Sequence, residues 1–204
     1  MRDAMDHTLD NLFESMAKAK LLRLFVMNPE ACFSLHEIGK QTQIKRISAK
    51  KELGKLLKLH FIKKKVIFVK DAIKKRAWRE QVFFADPQFK FFPELKSLIM
   101  KASPADKTEL TKRLNAVGGI KFAAVAGVFI NSDNSRADLL VVGDKIPRKK
   151  FRRFLARTES EIGKELTYMM LTPQEFRYRL DMYDRFLRDV LEFPHQKLIN
   201  RMNV

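Results

Sequence analysis

Between Ser34 and Lys65 the chain reads SLHEIGKQTQIKRISAKKELGKLLKLHFIKKK, and no other stretch limits the fold as much. Ser34 and Glu37 have the spacing of a capping box, in which each side chain serves an N–H of the first helical turn. Leu35 and Ile38 give that short helix an apolar face. Thr42-Gln43-Ile44-Lys45 interrupts the period. From Arg46 onward, Ala49, Leu53, Leu56 and Leu57 recur at helical spacing, as a helix packed on a core requires. The opposite face carries Arg46, Lys50, Lys51, Lys55 and Lys58. A short helix, a tight turn and a second helix with one apolar and one lysine-rich stripe is the plan of a helix-turn-helix.

The charge is concentrated in the same place. From Lys40 to Arg79 fifteen Lys or Arg residues stand against two acids, Glu52 and Asp71, so this stretch supplies +13 of the formal +17. Solubility is served by surfaces of mixed sign. A concentration of one sign points to a polyanion, and double-stranded DNA is the expected partner.

The sequence around this stretch completes the pattern. Residues 8 to 27 read as one amphipathic helix ended by Asn28-Pro29, since the residue before proline is pushed out of the helical region. Cys32 and Phe33 suit a short extended piece. FIKKKVIFVK at 61–70 and AWREQVFFA at 77–85 read as paired strands joined by the basic turn AIKKRAW. Trp78 is expected to pack this hairpin onto the core. Helix, helix-turn-helix and hairpin together spell a winged helix over residues 1–90, followed by connecting helices over 91–117. The helix from Arg46 would enter the major groove, with Lys45, Arg46, Ser48 and Lys50 nearest the base edges. Lys51, Lys55, Lys58, Lys63 and Lys64, with Lys74, Lys75 and Arg76 on the wing, would meet phosphates. Lysines outnumber Arg, Asn and Gln on this face, which favours phosphate contact over bidentate reading of bases.

From 118 to 204 strands and helices alternate, as in an α/β domain. IKFAAVAGVF at 120–129 and ADLLVVGD at 137–144 have the near-continuous apolar character of strands covered on both faces. An amphipathic helix follows from Pro147 to Glu165, with Phe151, Phe154, Leu155 and Ile162 inward and Lys149, Lys150, Arg152, Arg153 and Arg157 outward. LTYMML is a third strand. Thr172-Pro173-Gln174-Glu175 is a strong helix start, combining an N-cap, a proline at the first helical position and a capping-box glutamate. QKLIN is expected as a last short strand.

This order, together with GVFINSDNSRADLLVVGD and the later TPQEF and FLRDVLE segments, resembles the minimal nucleotidyltransferase family. The whole chain is similar to predicted prokaryotic transcriptional regulators that place a winged helix before such a domain. The resemblance implies an α+β winged helix followed by an α/β nucleotidyltransferase-like domain with a mixed sheet. In that family a Gly-Ser turn approaches the nucleotide phosphates and an Asp-x-Asp pair holds Mg²⁺. Here Gly127 matches the glycine, but Val128 replaces the serine. Asp138 matches the second aspartate, but Arg136 replaces the first. No catalytic residue set is therefore expected, and the second domain would serve in dimerisation, ligand sensing or extra DNA contact. An active nucleotidyltransferase with a nucleic-acid-binding domain is the alternative, and a partner module of a toxin–antitoxin pair is another.

Other chemistries find little support. Cys32 is the only cysteine, and the histidines at 7, 36, 60 and 195 lack metal-ligand spacing, so neither a metal nor a cofactor is expected. No apolar run reaches the ~20 residues of a membrane span. The segment MRDAMDHTLD is unlike a secretory signal. The expectation is a cytoplasmic, nucleoid-associated homodimer.

Overall fold

A computed structural model describes residues 8–71, 76–102, 107–132 and 135–203. They fall into two compact units, the first holding those up to Ala102 together with Glu159–Lys164 and the second holding the rest.

The first unit opens with α1 (Thr8–Leu12) and α2 (Met16–Met27) rather than one continuous helix. Glu14 takes a positive φ of 53°, and Ser15 caps α2 by accepting the Lys18 N–H at 3.2 Å. Serine favours the cap over the helix interior, and the break leaves Leu12 and Met16 exposed. β1 (Cys32–Ser34) leads into α3 (Leu35–Thr42), α4 (Arg46–Lys58), β2 (Ile62–Asp71), β3 (Arg76–Ala85) and α5 (Phe92–Lys101). The capping box forms as its spacing predicts. The Ser34 N–H donates to Glu37 Oε2 at 2.7 Å and the Glu37 N–H to Ser34 Oγ at 3.3 Å. Gln43 in the left-handed region makes the tight turn between α3 and α4.

The three strands form an antiparallel sheet in the order β1-β3-β2. Its core joins Leu24 and Phe25 of α2, Ile38 of α3, Ala49, Leu53 and Leu56 of α4, and Ile62 and Phe83 of the sheet. Phe92 and Ile99 are buried in the same core. That burial assigns α5 to the first unit, whereas α6 (Lys107–Val117) belongs to the second, so residues 91–117 divide between the units instead of forming a separate connector.

In the second unit Gly118 and Gly119, both at positive φ, turn the chain from α6 into β4 (Ile120–Val125). β4 is shorter than its apolar run, because Gly127–Ile130 coil into a 3-10 turn. There follow β5 (Leu139–Gly143), α7 (Arg148–Ile162, its residues from Glu159 on counted with the first unit), β6 (Tyr168–Leu171), α8 (Pro173–Asp181), α9 (Arg185–Glu192) and β7 (Gln196–Asn200). The sheet runs β6-β5-β4-β7 and is mixed: β5 is parallel to β6, while β4 is antiparallel to both β5 and β7. Every residue of β5 is buried, in accord with its unbroken apolar sequence. Phe122 of β4 meets Phe176 of α8 at 5.6 Å between ring centroids, and Leu187 and Val190 of α9 complete that core. The second capping box also forms, with Thr172 and Glu175 bonding reciprocally. Among the described residues no helix is long and apolar enough to cross a membrane.

Candidate nucleic-acid interface

The face of α4 that leaves the core divides into three strips, and each handles its charges differently. Residues recurring every three or four positions share a side of a helix. Arg46, Lys50, Gly54 and Leu57 line a groove of about 850 Å³ whose other walls are α3 and the distal part of β3. Ile47, Lys51 and Lys58 form the outer crest. Ser48 and Lys55 lie on the far flank.

The groove gathers Lys40 from α3, Arg46 and Lys50 from α4 and Arg79 from β3, against one lining acid, Glu80. Three features make it receptive. No ion pair is formed by Lys40, Arg46 or Lys50 among the described residues, so their charge is not cancelled locally. Gly54 adds no side chain, and a Cβ placed there would meet nothing within 4 Å. The hairpin supplies aromatic surface beside the charge: Trp78 is 44% exposed and lines the groove, and the Arg79 guanidinium sits 5.1 Å from the Phe68 ring centroid. Cation–π contact of this kind holds a guanidinium in place without neutralising it.

Trp78 therefore does not pack the hairpin onto the core. In β3 Val82, Phe83 and Ala85 take the buried positions, while Trp78 stands at the groove, beside residues of α3 and α4. Phe68 and Val66 on β2 are exposed as well, at 69% and 61%.

Two of the expected cations are already engaged. Lys55 Nζ donates to Glu52 Oε1 at 2.9 Å, and Glu52 is buried, so this lysine serves an acid of its own helix. Lys63 Nζ pairs with Asp86 Oδ2 at 2.7 Å across the base of the hairpin. The Lys63 hydrogen bond holds the Asp86 carboxyl below the usual carboxylate range. Lys45 occupies the N-cap of α4 and is exposed, as are Lys51, Lys58 and Lys64, while Ser48 is half-buried. Lys74 and Lys75 lie outside the described residues, and Arg76 opens β3.

The groove also contains residues that the charge pattern of α4 does not name: Lys40, Trp78, Arg79 and His36. Outside the groove, Ile47 on the crest is 85% exposed and is likewise not named by the charge pattern. Its position off the Ala49–Leu53–Leu56 stripe is a signal present in the sequence.

At the β4–β5 crossing of the second unit the polar atoms have settled on the backbone. Asp138 Oδ1 accepts the Val128 N–H at 2.9 Å, and Oδ2 accepts the Thr167 N–H at 2.9 Å. Its own N–H donates to Thr167 O at 2.7 Å, and its carbonyl accepts from Ala126 at 2.9 Å. One aspartate thus ties the end of β4, the start of β5 and the approach to β6. Gly127, at φ 53°, comes so close that an added Cβ would lie 2.2 Å from Asp138 Oδ1. Arg136 turns to Asp189 of α9 and pairs with it. Among the described residues no three His, Cys, Asp or Glu side chains are grouped to hold a metal ion. No protein-family model matches the chain, and no curated protein matches it in sequence.

Proposed function

We propose that this protein binds duplex DNA through its first unit, as a winged-helix regulator of transcription, and that its second unit is a nucleotidyltransferase-like domain without transferase activity. The observation that carries the reading is the groove between α4 and β3, where Lys40, Arg46, Lys50 and Arg79 converge beside an exposed tryptophan. The helix and strand order, with the sheet order β1-β3-β2, is that expected of a winged helix. In this reading the N-terminal part of α4 enters the major groove and the β2–β3 hairpin lies along the backbone. Ile47 stands at the crest where an apolar side chain meets a thymine methyl. Lysines elsewhere on the face supply the sequence-independent attraction, whose signature is salt dependence.

The lack of transferase activity rests on Asp138. Two-metal transfer needs carboxylates converging on cations ~3.5–4 Å apart. Both Asp138 oxygens hold backbone amides, and Arg136 occupies the matching first position. Mg²⁺-dependent release of pyrophosphate from nucleoside triphosphates is expected to be absent, and its appearance would restore the enzyme reading.

The test of DNA binding uses Trp78, the only tryptophan in the chain. Titration with a mixed-sequence duplex should change its emission while the anisotropy of a labelled duplex rises. Log affinity should fall with log salt by about 0.9 for each phosphate neutralised. Lys50→Glu with Lys51→Glu reverses charge at exposed positions outside the core stripe, and should abolish both signals while leaving the unfolding midpoint in place. Parental affinity in that double variant, or a tryptophan signal indifferent to DNA, would place the docking surface elsewhere.

A further inference from the structure

A second concentration of cations lies in the other unit. The first ten residues of α7, Arg148 to Arg157, read RKKFRRFLAR: six cations and no acid. Phe151, Phe154 and Leu155 are buried, while all six cations are exposed. On that surface Lys150, Arg153 and Arg157 follow one another at helical spacing and, with Arg113 of α6, rim a shallow groove of about 250 Å³ floored by Val117 and Phe154.

This arrangement is unfavourable for the helix itself. Arg148, Lys149 and Lys150 occupy the first turn, where the helix dipole favours acids, and no acid stands there. Like charges three and four residues apart repel along the rest of the stripe. Glu109 of α6 accepts from Arg113 Nε at 2.8 Å. Its carboxyl is held below the usual range first by that bond, with Lys112 and Arg157 adding to the same effect. Lys150 and Arg153 form no ion pair among the described residues. A surface that works against its own helix is accounted for by an outside anion.

The dimensions indicate which anion. Pockets for small ligands usually enclose about 300–1,000 Å³, and this groove is smaller and open. The Lys150–Arg153–Arg157 stripe, seven steps at ~1.5 Å each, is about 10 Å long. Over that length one strand of B-DNA presents about three phosphates. We infer that the Lys150–Arg153–Arg157 face of α7 is a second, sequence-independent contact for the phosphate backbone of duplex DNA. It shares its ligand with the first-unit reading but uses none of the same residues.

The experiment measures binding of the full chain to a labelled mixed-sequence duplex by anisotropy between 50 and 300 mM KCl. Lys150→Glu with Arg153→Glu should lower the salt slope by about 1.8, two phosphate contacts, and weaken affinity at least about tenfold at 0.1 M salt. The charge-preserving pair Lys150→Arg with Arg153→Lys should keep both values. An unchanged slope and affinity in the reversal variant would overturn the inference. So would an equal loss in the charge-preserving variant, since packing rather than charge would then be responsible. The two readings fail separately: Lys50→Glu with Lys51→Glu binding normally overturns the first-unit groove alone, whereas Lys150→Glu with Arg153→Glu binding normally overturns the α7 face alone.

Discussion

The groove in the first unit and the β4–β5 crossing in the second are both built from charged side chains, yet they are opposites. In the groove, Arg46 and Lys50 point from a helix into open space and form no ion pair among the described residues. At the crossing, Asp138 meets an amide with each oxygen, and Gly127 leaves room only for that carboxylate. A polar group left without a local partner is available to a ligand, whereas one enclosed by backbone donors is part of the framework. The groove leaves its cations open to an outside anion, whereas both oxygens of Asp138 are engaged by backbone donors.

The sharpest way to break this contrast is Gly127→Ala. The new methyl would strike Asp138 Oδ1, and a non-glycine residue would be held at φ 53°. A loss on the order of 3 kcal/mol in urea unfolding is expected, combining backbone strain with a broken hydrogen-bond node. DNA affinity through α4 should be little changed under native conditions. Parental stability would show that the crossing is not closed in this way.

Asp138→Asn is the milder version. The amide side chain keeps one acceptor but turns an NH₂ toward the second backbone N–H, leaving that donor unmet at about 1–3 kcal/mol. The unfolding midpoint should fall while salt-dependent binding persists. If binding disappears with stability intact, Asp138 touches a ligand and the contrast fails.

Gly54→Ala probes the groove from the other direction. Alanine is favoured over glycine in a helix interior by about 0.5–1 kcal/mol, and no atom lies near the added methyl. The chain should become more stable and bind DNA more weakly, because the bare helix backbone faces the groove. A gain in stability with unchanged affinity would mean that nothing approaches the helix there.

The smallest effect concerns the ion pair of Lys63 and Asp86 at the hairpin base. Lys63 depresses the folded-state pKa of Asp86. The pair therefore contributes fully above the ordinary carboxylate pKa near 4, and its contribution is lost as pH falls through the lower folded value. Asp86→Asn should reduce the drop in unfolding midpoint between pH 5 and pH 2.5. An undiminished drop would assign the acid sensitivity to other carboxylates.

Much of the fold was legible because its causes are local. The Ser34–Glu37 and Thr172–Glu175 boxes act over three residues, and both formed where their spacing placed them. The helical stripes Ala49–Leu53–Leu56 and Phe151–Phe154–Leu155 faced inward as their period required. The apolar β5 was buried throughout. Local rules also account for two departures, since Ser15 as a cap breaks the first helix and Gly127 ends β4 before its apolar run does.

The candidate site was legible only in part. The sequence placed a lysine-rich face on α4, because period and charge are properties of a single helix. It did not sort Lys50, which lines the groove, from Lys55, which answers the buried Glu52. Nor did it place Trp78, which is 44% exposed and lines the groove beside α3 and α4 instead of entering the core.

What the sequence determined by itself is the set of helices and strands, their inward faces and the location of excess charge, because each depends on neighbours within a turn or a pleat. Tertiary structure alone decided which charges remain available. Asp86 reaches Lys63 across 23 positions and Thr167 reaches Asp138 across 29, and such meetings follow from strand register and chain crossing, to which local periodicity is blind.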